Sequence, residues 1–225
     1  MCARYAFFSG KIIQDQFGLT AIPDIEAHYN LAPTDIVPAV IKDGPQRHLE
    51  FFSWGLIPSW AKDASGASRL INARSETAFE KPSFRSAFKY RRCLIPADGF
   101  YEWQGEKDQK QAYFIHRPDR QPMAFAGLWE EWKSAGEVRR TCTILTCAPN
   151  DLMAEIHDRM PVILAPSDFE PWLETPEEER MSLMPLLTAC PSELLELTPV
   201  SRAVGNPRNE GPELIERIPP KTLFD

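Results

Sequence analysis

No stretch of the chain stays apolar for the roughly 18 residues that a membrane-crossing helix needs. The Tyr5-Ala6-Phe7-Phe8 patch near the start is too short for the core of a secretory signal. Cysteine is sparse: there are five, an odd number, and none sits in a Cys-x-x-Cys pair. That excludes a zinc ribbon and a disulfide framework, and points to free thiols in a reducing, cytoplasmic setting with no membrane partner. Only four histidines are present, and none shares ligand spacing with another His, Cys or carboxylate, so no metal is expected. Glycine is limited to 11 residues with no phosphate-cradling Gly-rich loop. A doubly wound nucleotide-binding sheet is therefore excluded, and no cofactor is expected.

What the chain has instead is proline, 21 residues of it, and many short β-prone runs in a length of 225 residues. Strand-like runs fall at 5–8, 36–41, 48–54, 93–95, 100–103, 112–116, 123–128, 141–147, 161–164 and 194–200. Helical candidates are fewer: 10–17, 78–88, 150–156, 168–173 and 176–187, the last with Thr175 as its expected N-cap. This pattern predicts one α+β domain over 1–225, with a largely antiparallel, barrel-like β core and peripheral helices. A monomer is the default expectation.

The net charge of −7 argues against a nucleic-acid partner until its distribution is considered. Eight acids between Asp168 and Glu196 face a single base, Arg180, while the remaining residues hold 24 acids and 24 bases. The acidity belongs to one segment, best read as a solvated helix. The rest of the surface is free to form a basic groove.

Four residues invite a chemical reading. Cys2 directly follows Met1, and trimming of Met1 would leave an α-amine beside a thiol. With pKa values near ~7.7 and ~10.4, roughly several hundred times more of an α-amine than of a lysine is unprotonated at neutral pH. Such an amine forms an imine with an aldehyde, and the thiol can then close a five-membered thiazolidine. An incidental small residue at a frayed end is the bland alternative, and position alone favours it. Asn72, between Ile71 and Ala73, can donate and accept at once, or can simply serve a turn. Glu102 lies between Tyr101 and Trp103, surroundings that raise a carboxyl pKa towards the range useful for proton transfer; an edge-strand glutamate reads equally well. His157, beside Asp158 and Arg159, could be an acid, a base or a phosphate donor, but a capping or packed histidine is commoner.

In order along the chain come Cys2 with Arg4, Asn30-Leu31-Ala32-Pro33, Trp54-Gly55-Leu56-Ile57-Pro58-Ser59-Trp60 and Ile71-Asn72-Ala73-Arg74-Ser75-Glu76-Thr77. They are followed by Cys93 to Trp103, His157-Asp158-Arg159-Met160-Pro161 and Pro199-Val200-Ser201. This series, spanning residues 2 to about 216, resembles the SOS-response-associated peptidase (SRAP) family, whose members shield abasic sites in single-stranded DNA by covalent attachment. One departure is Ala3, where members usually carry glycine.

The resemblance implies that Cys2 captures the ring-opened sugar aldehyde as a thiazolidine, a lyase-like crosslinking activity. Asn72 would position the amine, Glu102 would shuttle protons and His157 would assist ring opening. Arg4, Arg74 and Arg159 would contact phosphates, with Asn30, Pro33 and Trp60 shaping the DNA groove and Trp54 or Trp60 offering a stacking platform. The expected partner is single-stranded DNA containing abasic sites. Two other readings stay open: a thiol peptidase or autopeptidase using Cys2 and His157, and a non-covalent single-stranded DNA binder.

Overall fold

The computed structural model describes residues 2–105, 110–134 and 136–218. Among the described residues, thirteen strands carry the architecture: β1 Tyr5–Phe7, β2 His28–Leu31, β3 Ile36–Asp43, β4 Gln46–Trp54, β5 Asn72–Arg74, β6 Arg92–Ala97 and β7 Gly99–Gln104. The rest are β8 Gln111–His116, β9 Met123–Ser134, β10 Glu137–Cys147, β11 Met160–Pro161, β12 Ile163–Leu164 and β13 Glu196–Val200. Five short helices are peripheral: α1 Ile13–Gln16, α2 Ser75–Ala78, α3 Arg85–Tyr90, α4 Asp151–Ala154 and α5 Phe169–Glu174. The fold is α+β.

Five strands close into a barrel in the order β10-β4-β3-β6-β9, with β9 pairing back to β10. All contacts are antiparallel except β4–β10, where Ser53 and Trp54 run parallel to Thr141 and Cys142. The β3–β4 hairpin turns through Gly44-Pro45, with Gly44 at φ +78°, the positive φ that such a two-residue turn demands of its first member. In the shared core Tyr5 and Phe100, from the second sheet, form T-shaped pairs with Phe125 of β9, at ring separations of 6.0 and 5.9 Å. Each such pair adds about 0.5–1.5 kcal/mol beyond the area it buries.

The second sheet, β13-β8-β7-β1-β2, is antiparallel throughout. Asp98 joins the two sheets between β6 and β7. It accepts the N–H groups of Phe8 and Ser9 (2.6 and 2.9 Å), while its own N–H donates to Ala6 (2.8 Å). Next comes Gly99, where a Cβ would sit 2.3 Å from the Phe114 ring, so a larger residue would force β7 off β8. This junction lays the chain start against β7: Tyr101 N–H donates to the Arg4 carbonyl at 3.0 Å.

Each expected strand overlaps an observed one, and the expected helices are broken more than expected. The 78–88 stretch divides into α2 and α3, because Pro82 in the 79–84 connection has no N–H to continue the ladder. The 176–187 stretch is a 3-10 helix, Glu177–Leu186, containing Pro185. Thr175 does not cap it: Pro176 holds the N-cap position, and the Thr175 carbonyl accepts from Arg92. Arg92 is buried and gathers carbonyls from α3 and α5, including Phe88 at 2.8 Å and Trp172 at 2.5 Å. It thus satisfies helix ends that would otherwise be orphaned, and its burial lowers its pKa to about 10. Among the described residues no helix is long and apolar enough to cross a membrane.

Candidate active site and nucleic-acid interface

Four chain segments converge on Cys2. The residue itself precedes β1 and is fully buried. Burial, and secondarily the neighbouring Glu102 carboxylate, pushes its thiol well above the usual range, so the sulfur is held as S–H. Asn72 heads β5, a strand of three residues fixed by parallel pairing to β10 (Ile144 with Asn72, Thr146 with Arg74). Its Nδ2 donates to the Cys2 carbonyl at 2.7 Å, while its buried Oδ1 accepts nothing among the described residues. That leaves an acceptor beside the Cys2 backbone for a donor not yet present.

Glu102 is on β7 and only 3% exposed. Burial raises its pKa above the ordinary carboxylate range, and the adjacent His157 pulls in the opposite sense. His157 follows α4, whose N-cap Asn150 accepts from Met153 N–H at 2.9 Å, and β11 then returns the chain to β10. Its Nδ1 lies 2.9 Å from Asp158 Oδ1 and accepts the Arg159 backbone N–H at 3.0 Å. A cavity of about 450 Å³ opens beside this group, lined by Ala3, Arg4, Glu102, Trp103, Lys110, His157 and Gly205. Cys2, Asn72, Glu102 and His157, distant in sequence, thus form one constellation: a thiol, an amide with a spare acceptor, a carboxyl able to hold a proton, and an imidazole. Among the described residues no group of three His, Cys, Asp or Glu side chains could hold a metal.

The residues expected to touch DNA divide sharply. Trp60 is 64% exposed, its indole N–H resting on the Pro82 carbonyl at 3.3 Å. Arg74 is exposed at the end of β5. Pro33 is half-buried in the β2–β3 loop, ahead of Thr34 at φ +81°. Trp54, by contrast, is fully buried, edge-on to Tyr5 at 5.4 Å, with its N–H on the Ile71 carbonyl at 2.8 Å. It cannot be a surface stacking platform in this conformation, which corrects that expectation.

Asn30 is also buried. Its Oδ1 accepts from Arg4 (2.9 Å) and its Nδ2 donates to the carbonyls of Asn206 and Asn209 (3.0 and 2.8 Å). Arg4 donates further to Val204 and Gly205 carbonyls at 3.1 and 3.4 Å. This pair holds the 204–209 loop against β2, so Asn30 has no polar atom to offer a groove. Arg159 is buried too, its guanidinium forked onto Glu76 (2.6 and 2.8 Å) and bonded to the Thr146 carbonyl. The Glu76 pKa falls because of that hydrogen-bonded pair. As it stands, Arg159 ties α2 to β10 rather than facing solvent. Trp103 closes the Cys93–Trp103 block, but sequence reasoning did not single out Lys110 and Gly205 on the cavity wall; they carry no motif and come near Glu102 only through the β7–β8 pairing and the Arg4 contacts.

Comparison with known proteins identifies the family. Residues 1–207 match the model of the family described as SOS response associated peptidase (SRAP). The chain is 42% identical over 222 residues to the abasic site processing protein YoqW of Bacillus subtilis, covering 96% of this chain and 99% of that one. It is 32% identical to YedK of Escherichia coli, also an abasic site processing protein, with 97% and 100% covered. A crystal structure of a Bacteroides thetaiotaomicron protein superposes with a TM-score of 0.82 at 27% identity, covering 96% of this chain and all of that one. On its sequence and its fold, the chain belongs to the SRAP family.

Proposed function

We propose that the protein senses and shields abasic sites in single-stranded DNA by forming a thiazolidine between Cys2 and the sugar aldehyde. The Asn72–Cys2 hydrogen bond carries this reading, because it fixes the Cys2 backbone within the same group as Glu102 and His157. Met1 lies outside the described residues, and its removal is part of the proposal. Loss of Met1 converts the Cys2 nitrogen from an amide to an amine. That amine attacks C1′ of the open-chain sugar, with Asn72 Oδ1 accepting one of its hydrogens. Glu102, protonated, gives its proton to the departing hydroxyl, and one water leaves as the imine forms. The imine is protonated on nitrogen, so when the thiol adds to it sulfur joins C1′, the C=N electron pair returns to nitrogen, and the thiol proton goes to the Glu102 carboxylate, restoring the acid. A carboxyl with a raised pKa suits both directions of transfer. His157 serves the preceding step, moving a proton between the sugar's O1′ and O4′ as the ring opens.

The names of the relatives, abasic site processing proteins, support the substrate. The state of the thiol argues against a peptidase mechanism. A peptidase needs a cysteine whose pKa is lowered by a cationic partner, whereas burial and Glu102 push this one upward. In the thiazolidine scheme a neutral thiol is sufficient until the imine exists.

Intact mass of the purified protein, before and after mixing with an abasic oligonucleotide, tests the proposal. The expected product lacks Met1 and gains the oligonucleotide less one water. A protein that lacks Met1 and stays unmodified would overturn the mechanism, as would normal crosslinking by a variant with an uncleavable extension ahead of Cys2.

A further inference from the structure

We infer that Lys110 holds a backbone phosphate flanking the abasic sugar, an assignment that rests on the function proposed above. Two permanent cations line the cavity beside Glu102 and His157, Arg4 and Lys110. Arg4 is already committed: its guanidinium donates to Asn30 Oδ1, the Val204 carbonyl and the Gly205 carbonyl. Turning it towards a ligand would release the 204–209 loop and strand the buried Asn30. Lys110, just ahead of β8, is exposed, and its ammonium makes no hydrogen bond or ion pair among the described residues. The carboxylates that hold other cations on this chain, such as Glu76 with Arg159 or Glu174 with Lys42, are occupied elsewhere.

The chemistry of the substrate supplies the missing partner. An abasic site has lost its base but keeps a phosphate on each side of the sugar. A strand that brings C1′ to the Cys2 amine must therefore bring phosphate into or past the cavity. With no base to recognise, the flanking phosphates are the charged features left to read there. A lysine is a compact point charge with three donors on a flexible stem, suited to a phosphate whose position shifts between ring-closed, imine and thiazolidine states.

The test compares two substrates that share the aldehyde and differ in phosphate: an abasic oligonucleotide and free 2-deoxyribose. For each, the rate of Cys2 adduct formation is followed by intact mass below saturation. In Lys110→Gln the ratio of the two rates, oligonucleotide over free sugar, falls by about tenfold, the low end for a charge-assisted contact. Lys110→Arg restores the ratio, whereas Lys11→Gln, the same charge change away from this wall, retains the wild-type value. The salt slope of binding to intact single-stranded DNA also falls by about 0.7, the share of one phosphate. An unchanged ratio in Lys110→Gln overturns the assignment. So does equal slowing on both substrates, because Lys110 would then act in the chemistry instead. If wild type forms no adduct with either aldehyde, the thiazolidine reading fails, and the salt slope alone decides Lys110.

Discussion

The Arg4 wall and the stretch from Trp60 to Arg74 use the same residue types and treat them in opposite ways. On the wall, Arg4 and Asn30 are bonded to each other and to the 204–209 loop, and no acceptor of Asn30 is left over. Along the stretch, Trp60 stands 64% exposed and Arg74 ends β5 in solvent. Trp54 and Trp60, six residues apart, repeat the contrast: one is packed against Tyr5 and the other is exposed. The lesson is that a buried cation or amide is costly unless paired, so the fold pairs it internally. Only what remains unpaired at the surface can serve a phosphate chain. The inner set should govern stability and chemistry, the outer set affinity, and four measurements can separate them.

The largest effect belongs to Glu102. Glu102→Gln should slow crosslinking by about 10²–10⁴-fold, the range for a general acid–base group, with binding to intact single-stranded DNA nearly unchanged. The same change should stabilise the fold. A carboxyl whose pKa is raised by burial binds protons more readily folded than unfolded, so its cost to stability grows as pH rises above the unfolded value of about 4.3. Denaturant melts should therefore show Gln ahead by about 0.5–2 kcal/mol at pH 8, with the gap closing as pH falls to 4. A constant gap across pH would mean that Glu102 titrates normally.

Asn30→Ala comes next. It removes one acceptor from the Arg4 guanidinium and the donor to two loop carbonyls, at about 1–3 kcal/mol for each group left unsatisfied. An overall loss near 3 kcal/mol is more than a hundredfold in the unfolding equilibrium. Loss of DNA affinity with an unchanged melting profile would reverse the comparison and return Asn30 to the groove.

Arg74→Ala should do the opposite: melting within about 0.5 kcal/mol of wild type, as for surface changes generally. Affinity for intact single-stranded DNA should fall about tenfold with a flatter salt dependence, measured by fluorescence anisotropy. A melting loss as large as that of Asn30→Ala would place Arg74 on the structural side.

Much of this was legible in the sequence. The barrel strands read as short β-branched and aromatic runs, whereas Cys2, Asn72, Glu102 and His157 each had a bland alternative by chemistry alone and were drawn into one set by the resemblance. Strands β2 and β5 were missed for a physical reason. Asn72 to Arg74 has no strand signal of its own and is extended only because β10 offers it an edge. Which tryptophan faces solvent is likewise set by tertiary contact: Ile71 and Tyr5 claim Trp54, and Pro82 merely steadies Trp60. The resemblance made Arg159 a phosphate ligand, but its carboxylate partner, Glu76, lies 83 residues away in sequence. Long-range pairing of this kind leaves no mark on local composition.

The smallest effect concerns the acidic segment. Glu177 docks on Lys89 and Tyr90 at the end of α3, while Trp60 leans on Pro82 before its start. The six residues of α3, about 9 Å of helix at 1.5 Å each, lie between those points. That is close to one Debye length, about 8 Å at physiological salt, so the exposed Glu178 and Glu179 are mostly screened from a strand lying on Trp60. Changing both to Gln should tighten binding to intact single-stranded DNA by no more than about twofold at physiological salt. At 0.01 M salt, where the screening length reaches about 30 Å, the gain should be several-fold. A tenfold gain already at physiological salt would put the acidic helix in the groove itself. The outer set would then include a built-in repulsion, and the division between wall and rim would have to be redrawn around α3.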